Sequence, residues 1–185
     1  MNIAVFASGS GSNAQKIFDH FKNHPRIKVT LVLCNKPNAF VIERAKQENI
    51  PVLMIDKSTF TDETYILSAL KSYQVDFIVL AGFLWLIPSF LTKAFPNKMV
   101  NIHPALLPKY GGKGMHGHFV HEAVFENKEK ESGITIHYVN EVYDSGEIIF
   151  QAKCNVEGLN PEEIAAAVLK LEHEHFPKVI EKLLS

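Results

Sequence analysis

The sequence predicts a doubly wound α/β fold: a mostly parallel, twisted sheet with helices on both faces and an antiparallel strand pair near the C-terminus. Segments 2–7 and 77–81 are almost continuously apolar, which is typical of parallel strands covered on both faces. Between them, apolar residues recur at helical spacing. Segments 132–139 and 147–154 alternate apolar and polar residues around a turn, which predicts the antiparallel pair.

The first half of the chain alternates strands and helices, and a glycine-rich turn at 8–13 follows the first strand. The predicted elements are, in order, a strand at 2–7, a helix around Ile17, Phe18 and Phe21, a strand at 27–34, a helix at 40–48, a strand at 52–55, a helix that begins within 61–64, and a strand at 77–81. Segment 61–64, Thr-Asp-Glu-Thr, supplies N-cap and first-turn chemistry for the third of these helices.

The second half begins differently, because segment 109–124 is rich in glycine and histidine and predicts a mobile loop. Strands at 132–139 and 147–154 follow. A long helix begins after Asn160, where an N-cap is followed by Pro161 at the first helical position and by Glu163 three residues after the cap, the spacing of a capping box. Pro177 is expected to break or kink this helix, because proline removes a helical hydrogen bond.

Composition limits the classes of function. The 185 residues are 46% hydrophobic and predict one domain, 1–185, with a sizeable core. The formal net charge of −1 predicts small-molecule substrates rather than nucleic acid or a membrane surface. The two cysteines lack metal-ligand spacing, and no targeting segment is evident. A cytoplasmic protein, monomeric or homodimeric, is expected.

The turn after the first strand predicts a binding site for one phosphate group. Gly11, Ser12 and Asn13 stand where a helix begins, and backbone N–H groups at such a position bind phosphate well. The spacing is neither a dinucleotide fingerprint nor a P-loop. The alternative is an ordinary turn with N-cap residues, and the turn alone does not separate the two interpretations.

Asn101 and His103 follow an apolar strand at the edge where open α/β sheets bind ligands. Period-two alternation directs both side chains to one side, where an amide and an imidazole suit oxyanion and proton chemistry. Asp144, in the turn of the antiparallel pair, could reach His103, raise the imidazole pKa and orient the ring. The alternatives are common loop chemistry at 101–104 and an Asx-turn at Asp144.

Several distinctive stretches occur together along nearly the whole chain. They are SGSGSN at 8–13, AGF at 81–83, NIHPALLPKY at 101–110, DSG at 144–146, QAK at 151–153, and EH at 172–173 near Phe176 and Pro177. With these, the chain resembles the folate-dependent formyltransferases of the phosphoribosylglycinamide (glycinamide ribonucleotide) type. The resemblance implies a Rossmann-like formyltransferase fold and transfer of a formyl group from 10-formyltetrahydrofolate to the amine of the ribonucleotide in purine (IMP) biosynthesis.

The resemblance also implies roles for individual residues. Asn101 would hold the oxyanion of a tetrahedral intermediate and contact the folate, a protonated His103 would stabilise the oxyanion and protonate the departing N10, and Asp144 would keep His103 charged. Gly11, Ser12 and Asn13 would hold the substrate phosphate, and Glu172 would place its amine. The predicted pterin wall is Leu84, Trp85, Leu86 and Ile87, for which core packing is the alternative. Neither a metal nor a covalent intermediate is implied.

This chain departs from the family pattern at several places. Trp85 stands where relatives often carry arginine, no arginine occurs at 61–64 to hold the folate tail, and Leu169 replaces a polar residue near the ribose. Loop 109–124 is longer than expected. Its histidines at 116, 118 and 121 match no common zinc spacing and receive no role.

Other functions remain open from the sequence. The same three catalytic residues could serve a formyltransferase that acts on methionyl-tRNA or an amino sugar nucleotide, or a hydrolase of formyltetrahydrofolate. The end of the sequence at Ser185 and its balanced charge disfavour tRNA, and hydrolases of this kind usually carry an additional amino-terminal domain. A noncatalytic nucleotide-binding module would not need Asn101, His103 and Asp144 together.

Overall fold

A computed structural model describes all residues from Met1 to Ser185. Its elements are, in order, β1 (Asn2–Ala7), α1 (Ser12–Phe21), β2 (Lys28–Cys34), α2 (Val41–Gln47), β3 (Val52–Met54), α3 (Lys57–Thr61), α4 (Glu63–Ser72), β4 (Phe77–Leu80), α5 (Ser89–Ala94), β5 (Met99–His103), α6 (His118–Glu126), β6 (Glu131–Tyr138), β7 (Ile148–Asn155) and α7 (Pro161–Leu184). The predicted strands are all present, with bounds that differ by a few residues at most. The short helices α3 and α5 were not predicted.

All seven strands belong to one sheet with the order β3-β2-β1-β4-β5-β6-β7. The neighbouring strands β3, β2, β1, β4 and β5 are all parallel to one another, and β6 runs antiparallel to both β5 and β7. The predicted mostly parallel sheet with an antiparallel C-terminal pair is confirmed. Because the connections leave β1 toward β2 on one side and later return to β4 on the other, a crevice opens beyond the carboxyl ends of β1 and β4.

Two apolar layers cover the sheet, and strand alternation assigns side chains to them. Ile3 and Val5 of β1 pack in one layer with α1, α2, α6 and α7, whereas Ala4 and Phe6 pack in the other with α3, α4 and α5. The continuous apolar runs in the sequence have this cause, since both faces of the central strands are buried. Phe6 is fully buried, and truncating such a side chain typically costs about 3–5 kcal/mol.

Helix termini follow the local sequence signals in two places. Asp62 accepts a hydrogen bond from Tyr65 N at 2.9 Å and caps α4. Asn160 and Glu163 form the predicted capping box at the start of α7, with both side-chain to backbone distances at 2.9 Å. These caps satisfy N–H groups that would otherwise lack partners.

Two expectations from the sequence need correction, a break of the last helix at Pro177 and a loop that extends to residue 124. Helix α7 continues through Pro177 to Leu184, because Phe176, Pro177 and Ile180 are buried in the core and their packing offsets the missing hydrogen bond. The predicted loop 109–124 ends at His118, where α6 begins, since Val120 and Val124 bury one face of that helix. None of the helices combines the length and apolar character needed to cross a membrane.

Candidate active site

A cavity of about 770 Å³ opens at the carboxyl ends of β1, β4 and β5. Every residue predicted from the sequence to bind or react lines it: Gly11, Ser12, Asn13, Leu84, Trp85, Leu86, Ile87, Asn101, His103, Asp144 and Glu172. The topology explains this convergence, since parallel strands end at one edge and α7 and the β6–β7 turn close the remaining sides.

The glycine-rich turn forms one end of the cavity. Gly11 has φ 71° and a Cβ there would lie 2.6 Å from side-chain atoms of Val41, so both the backbone conformation and the close approach of α2 require glycine. Helix α1 begins at Ser12 without a side-chain cap. Its first N–H groups therefore remain free for an anionic group.

Asn13 and Glu172 join this end of the cavity to α7. Asn13 Nδ2 donates to Glu172 Oε2 at 2.7 Å, although the residues are 159 positions apart in sequence. Glu172 is only 8% exposed, and burial raises the pKa of its carboxyl group despite the opposing hydrogen bond from Asn13. Asn13 Oδ1 is buried without a partner, so this amide still has a free acceptor.

The three predicted catalytic residues lie together. His103 Nδ1 is 3.5 Å from Asp144 Oδ2, and Asn101 Nδ2 is 3.4 Å from Asp144 Oδ1. Asp144 reaches them from the β6–β7 turn with φ 52°, and Gly112 N donates to its Oδ2 at 3.0 Å. The carboxylate is thus held between β5 and the loop that precedes α6.

The charge state of His103 differs from the expectation. Burial lowers the pKa of this imidazole, and that effect exceeds the upward contributions of Asp144 and of the Tyr110 carbonyl. Asp144 acts in the expected direction, but His103 is only 3% exposed and loses more from desolvation than it gains. Burial therefore favours the neutral ring in the unliganded protein, whereas the resemblance implied an imidazolium.

Asp144 itself stays ionised. Burial alone would raise the pKa of its carboxyl group, but the neighbouring His137 and His103 rings and the Gly112 N–H outweigh burial and lower the pKa. A carboxylate anion beside a neutral imidazole is a suitable arrangement for accepting a proton, because the anion stabilises the imidazolium as it forms.

His137 is a functional candidate that the sequence analysis missed. Its Nδ1 donates to the Tyr138 carbonyl at 2.8 Å, which leaves Nε2 to accept from Asn101 Nδ2 at 3.1 Å. His137 therefore orients the Asn101 amide. Alternation along β6 places His137 on the side of Thr135, opposite Ile134 and Ile136, which predicts a solvent-facing position, whereas the structure buries both sides of this strand.

An aromatic cluster supports the predicted pterin wall. Trp85 packs on Phe60 and Phe83 with ring centroids 5.8 and 6.3 Å apart, and Phe83 packs edge-on against Phe6 at 5.5 Å. Leu84 N donates to Ser8 Oγ at 3.1 Å, which ties this segment to the glycine-rich turn. Ile87 is buried in the core as the packing alternative expected, whereas Leu86 is exposed at the cavity mouth.

The loop histidines also lie at the cavity. His116, His118 and His121 line it, and His121 is buried with an unpartnered Nδ1. Burial lowers the pKa of His121, with His103 as the next contribution. Nowhere in the chain do three His, Cys, Asp or Glu side chains lie close enough together to hold a metal ion.

Comparison with known proteins agrees with this geometry. A family model described as formyl transferase matches residues 1–180. The chain belongs to the formyl transferase family. The match covers the glycine-rich turn, the pterin wall, the three predicted catalytic residues and Glu172, so every part of the cavity discussed above lies within it.

Within this family, the chain is similar to proteins named phosphoribosylglycinamide formyltransferase. The chain is 43% identical over 185 residues to a chloroplastic phosphoribosylglycinamide formyltransferase of Arabidopsis thaliana, covering 96% of this chain and 63% of that protein. It is 37% identical to the phosphoribosylglycinamide formyltransferase of Bacillus subtilis, covering 98% of this chain and 93% of the relative. The chain thus spans less than two thirds of the plant relative.

A solved structure has the same fold. The crystal structure of phosphoribosylglycinamide formyltransferase from Bacillus halodurans matches with a TM-score of 0.90 and 37% identity, over 100% of this chain and 96% of the other. The predicted formyltransferase fold is therefore confirmed.

Proposed function

We propose that this protein transfers the formyl group of 10-formyltetrahydrofolate to the amine of N1-(5-phosphoribosyl)glycinamide, a step of de novo purine (IMP) biosynthesis. The observation that carries the proposal is the meeting of Asn101, His103 and Asp144 in a cavity that also has a phosphate-suited turn and an apolar wall. The names of relatives similar over most of this chain support the same substrates.

The cavity divides into two binding regions. At the amino end of α1, Gly11, Ser12 and Asn13 would bind the phosphate, and Glu172 would accept from an N–H of the attacking amine. At the other end, backbone groups and apolar side chains of segment 84–87 would enclose the pterin. The reacting atoms then meet near His103.

The reaction needs one proton to move from the amine to N10. The amine nitrogen forms a bond to the formyl carbon, whose carbonyl oxygen becomes an oxyanion. A proton of the resulting ammonium passes to His103, directly or through Asp144 and water, and then to N10 as the carbon–N10 bond breaks. Asn101 Nδ2 would give up its long 3.4 Å contact with Asp144 Oδ1 and donate to the oxyanion instead.

The direct test mixes purified protein with 10-formyltetrahydrofolate and the ribonucleotide while the folate absorbance is followed. Turnover is expected only when both are present. Parallel reactions with methionyl-tRNA, an amino sugar nucleotide or water as the only acceptor test the related activities. Turnover with one of those and none with the ribonucleotide would contradict the proposal, as would ligand binding without any turnover.

Glu172→Gln is expected to raise the KM for the ribonucleotide about tenfold, the effect of losing about 1.4 kcal/mol of a charge-assisted hydrogen bond. Glutamine can still accept from Asn13 and removes a charge that is costly to bury, so thermal stability should not fall. Steady-state kinetics with each substrate varied are the measurement. Exposed Glu174→Gln on the same helix is the matched control, and equal effects of the two variants would contradict a role for Glu172.

Trp85→Ala is expected to raise the KM for the folate about tenfold, because it removes a large apolar surface from the cavity wall. The KM for the ribonucleotide should change far less. Phe125→Ala removes an exposed aromatic side chain outside the cavity and serves as control. Since Trp85 is the only tryptophan, its fluorescence in the parent protein should also respond to folate but not to the ribonucleotide alone.

Small-molecule substrates are part of this proposal, and the absence of a nucleic-acid partner stays a prediction. Cytoplasmic localisation, a monomeric or homodimeric state and a single domain likewise stay predictions from the sequence.

A further inference from the structure

A three-residue segment, 110–112, contacts both members of the proton-handling pair. The Tyr110 carbonyl accepts a hydrogen bond from His103 Nε2 at 2.7 Å, and Gly112 N donates to Asp144 Oδ2 at 3.0 Å. The same carboxylate oxygen lies 3.5 Å from His103 Nδ1. The position of this segment therefore sets how His103 and Asp144 face each other.

The contact with Tyr110 decides which ring nitrogen carries the proton. A neutral imidazole has one N–H, and two acceptors compete for it: the Tyr110 carbonyl at Nε2 and Asp144 Oδ2 at Nδ1. The 2.7 Å contact is a good hydrogen bond, whereas 3.5 Å is too long for one. The proton therefore resides on Nε2, and Nδ1 is free to accept. If the carbonyl moved away, the Asp144 carboxylate would favour the tautomer with the proton on Nδ1, and Nδ1 could then no longer accept a proton.

Contacts outside segment 110–112 hold Tyr110 in its unfavourable backbone conformation. Tyr110 has φ 57°, a left-handed conformation that is unfavourable for a tyrosine. Its hydroxyl donates to Glu129 Oε1 at 2.9 Å, and Lys109 Nζ donates to the same oxygen at 2.8 Å. Burial, with Glu129 as the next contribution, raises the pKa of Tyr110 to about 12, so the hydroxyl keeps its proton and remains a donor at physiological pH.

We propose that Glu129 is a positioning residue for the active site: by holding the Tyr110 hydroxyl, it fixes the Tyr110 carbonyl on His103 Nε2 and keeps Nδ1 free to accept a proton. Glu129 lies just beyond the end of α6 and does not line the cavity, so it acts through Tyr110 and not on a ligand. The catalytic consequence rests on the proposed function, but the position of the proton is a property of the unliganded protein.

The first test is the tautomer of His103, read from the ¹⁵N shifts of its two ring nitrogens in mildly alkaline buffer. In the parent protein the proton should be on Nε2. Tyr110→Phe, which removes only the hydroxyl, and Glu129→Ala should shift it toward Nδ1. Glu129→Gln, whose side-chain carbonyl can still accept from Tyr110, should restore the parent pattern. Glu131→Ala is the control, because Glu131 is an exposed partner of Lys153 two residues further along.

The second test is steady-state kinetics with the same variants. Tyr110→Phe and Glu129→Ala should lower kcat about tenfold, a part of the 100- to 10,000-fold that a general acid–base group contributes, with KM values changed less than about twofold. Glu129→Gln should regain most of the rate.

Either of two results would overturn the proposal: a proton that stays on Nε2 in both Tyr110→Phe and Glu129→Ala, or a kcat that falls equally in Glu131→Ala. The tautomer is measured without substrate, so it is independent of activity. A parent protein with no formyl transfer would refute the proposed function, and the ¹⁵N shifts would still decide whether Glu129 places the proton.

Discussion

His103→Ala is expected to lower kcat/KM for formyl transfer by about 100- to 10,000-fold, the usual contribution of a group that moves a proton in the rate-limiting step. The other histidine near Asp144 is His137, whose Nε2 lies 3.6 Å from Asp144 Oδ1, but both of its ring nitrogens already have hydrogen-bond partners, the Tyr138 carbonyl and the Asn101 amide. The loss should appear mainly in kcat, because His103 acts on the tetrahedral intermediate and not on either substrate's recognition groups.

The control for this variant is His20→Ala, which removes an exposed histidine that contacts Glu181 far from the cavity. It should leave the kinetics unchanged. A loss below about tenfold in His103→Ala, with the protein folded, would show that the proton takes another path.

His103→Ala should also change the pH dependence of stability. The pKa of His103 is lowered on folding, so the native state disfavours its protonation. This group's contribution to the free energy of unfolding is full above its unfolded pKa of about 6.5 and is lost as the pH falls through the lower folded pKa. The variant should therefore lose less stability than the parent between neutral and mildly acidic pH, as measured by denaturant unfolding.

Local sequence signals were sufficient where local physics decides the structure. Alternation within one strand placed Asn101 and His103 on one side, and side-chain chemistry in segment 61–64 and at Asn160 located two helix starts. Gly11 was identified as a turn residue, but the reason that no other residue fits is Val41 of a different helix. Spacing in the sequence carries no information about such a contact.

Tertiary packing decided the features that the sequence could not predict. Asp144 reaches His103 only because β6 pairs antiparallel with β5 and ends beside it, which no local pattern specifies. Asp144 raises the pKa of His103 as expected, but burial of the ring, which no local pattern specifies, lowers that pKa by more. Pro177 continues a helix because its neighbours are buried, again a property of the assembled core.

Asp144→Asn is expected to lower kcat about 100-fold or more, because the neutral amide no longer stabilises the imidazolium that forms during proton transfer. Folding should be preserved. Asparagine is nearly isosteric with aspartate and tolerates the φ of 52° that this position requires, and its side-chain oxygen can still accept from Gly112 N. Thermal unfolding checks stability, and Asp76→Asn, at an exposed aspartate that accepts from Asn2 N, is the control.

The pH profile of Asp144→Asn distinguishes two roles for His103. Asp144 raises the pKa of His103, so its neutralisation lowers that pKa further below the value of a free imidazole. If the free enzyme needs neutral His103, as the burial of the ring indicates, kcat/KM is lost on the acid side and the acid limb moves to lower pH in the variant. If the free enzyme instead needed an imidazolium, activity would be lost as the pH rises, and this alkaline limb would move to lower pH in the variant. A shifted alkaline limb with an unchanged acid limb would therefore contradict the neutral resting state, and an unchanged profile would remove Asp144 from the proton path.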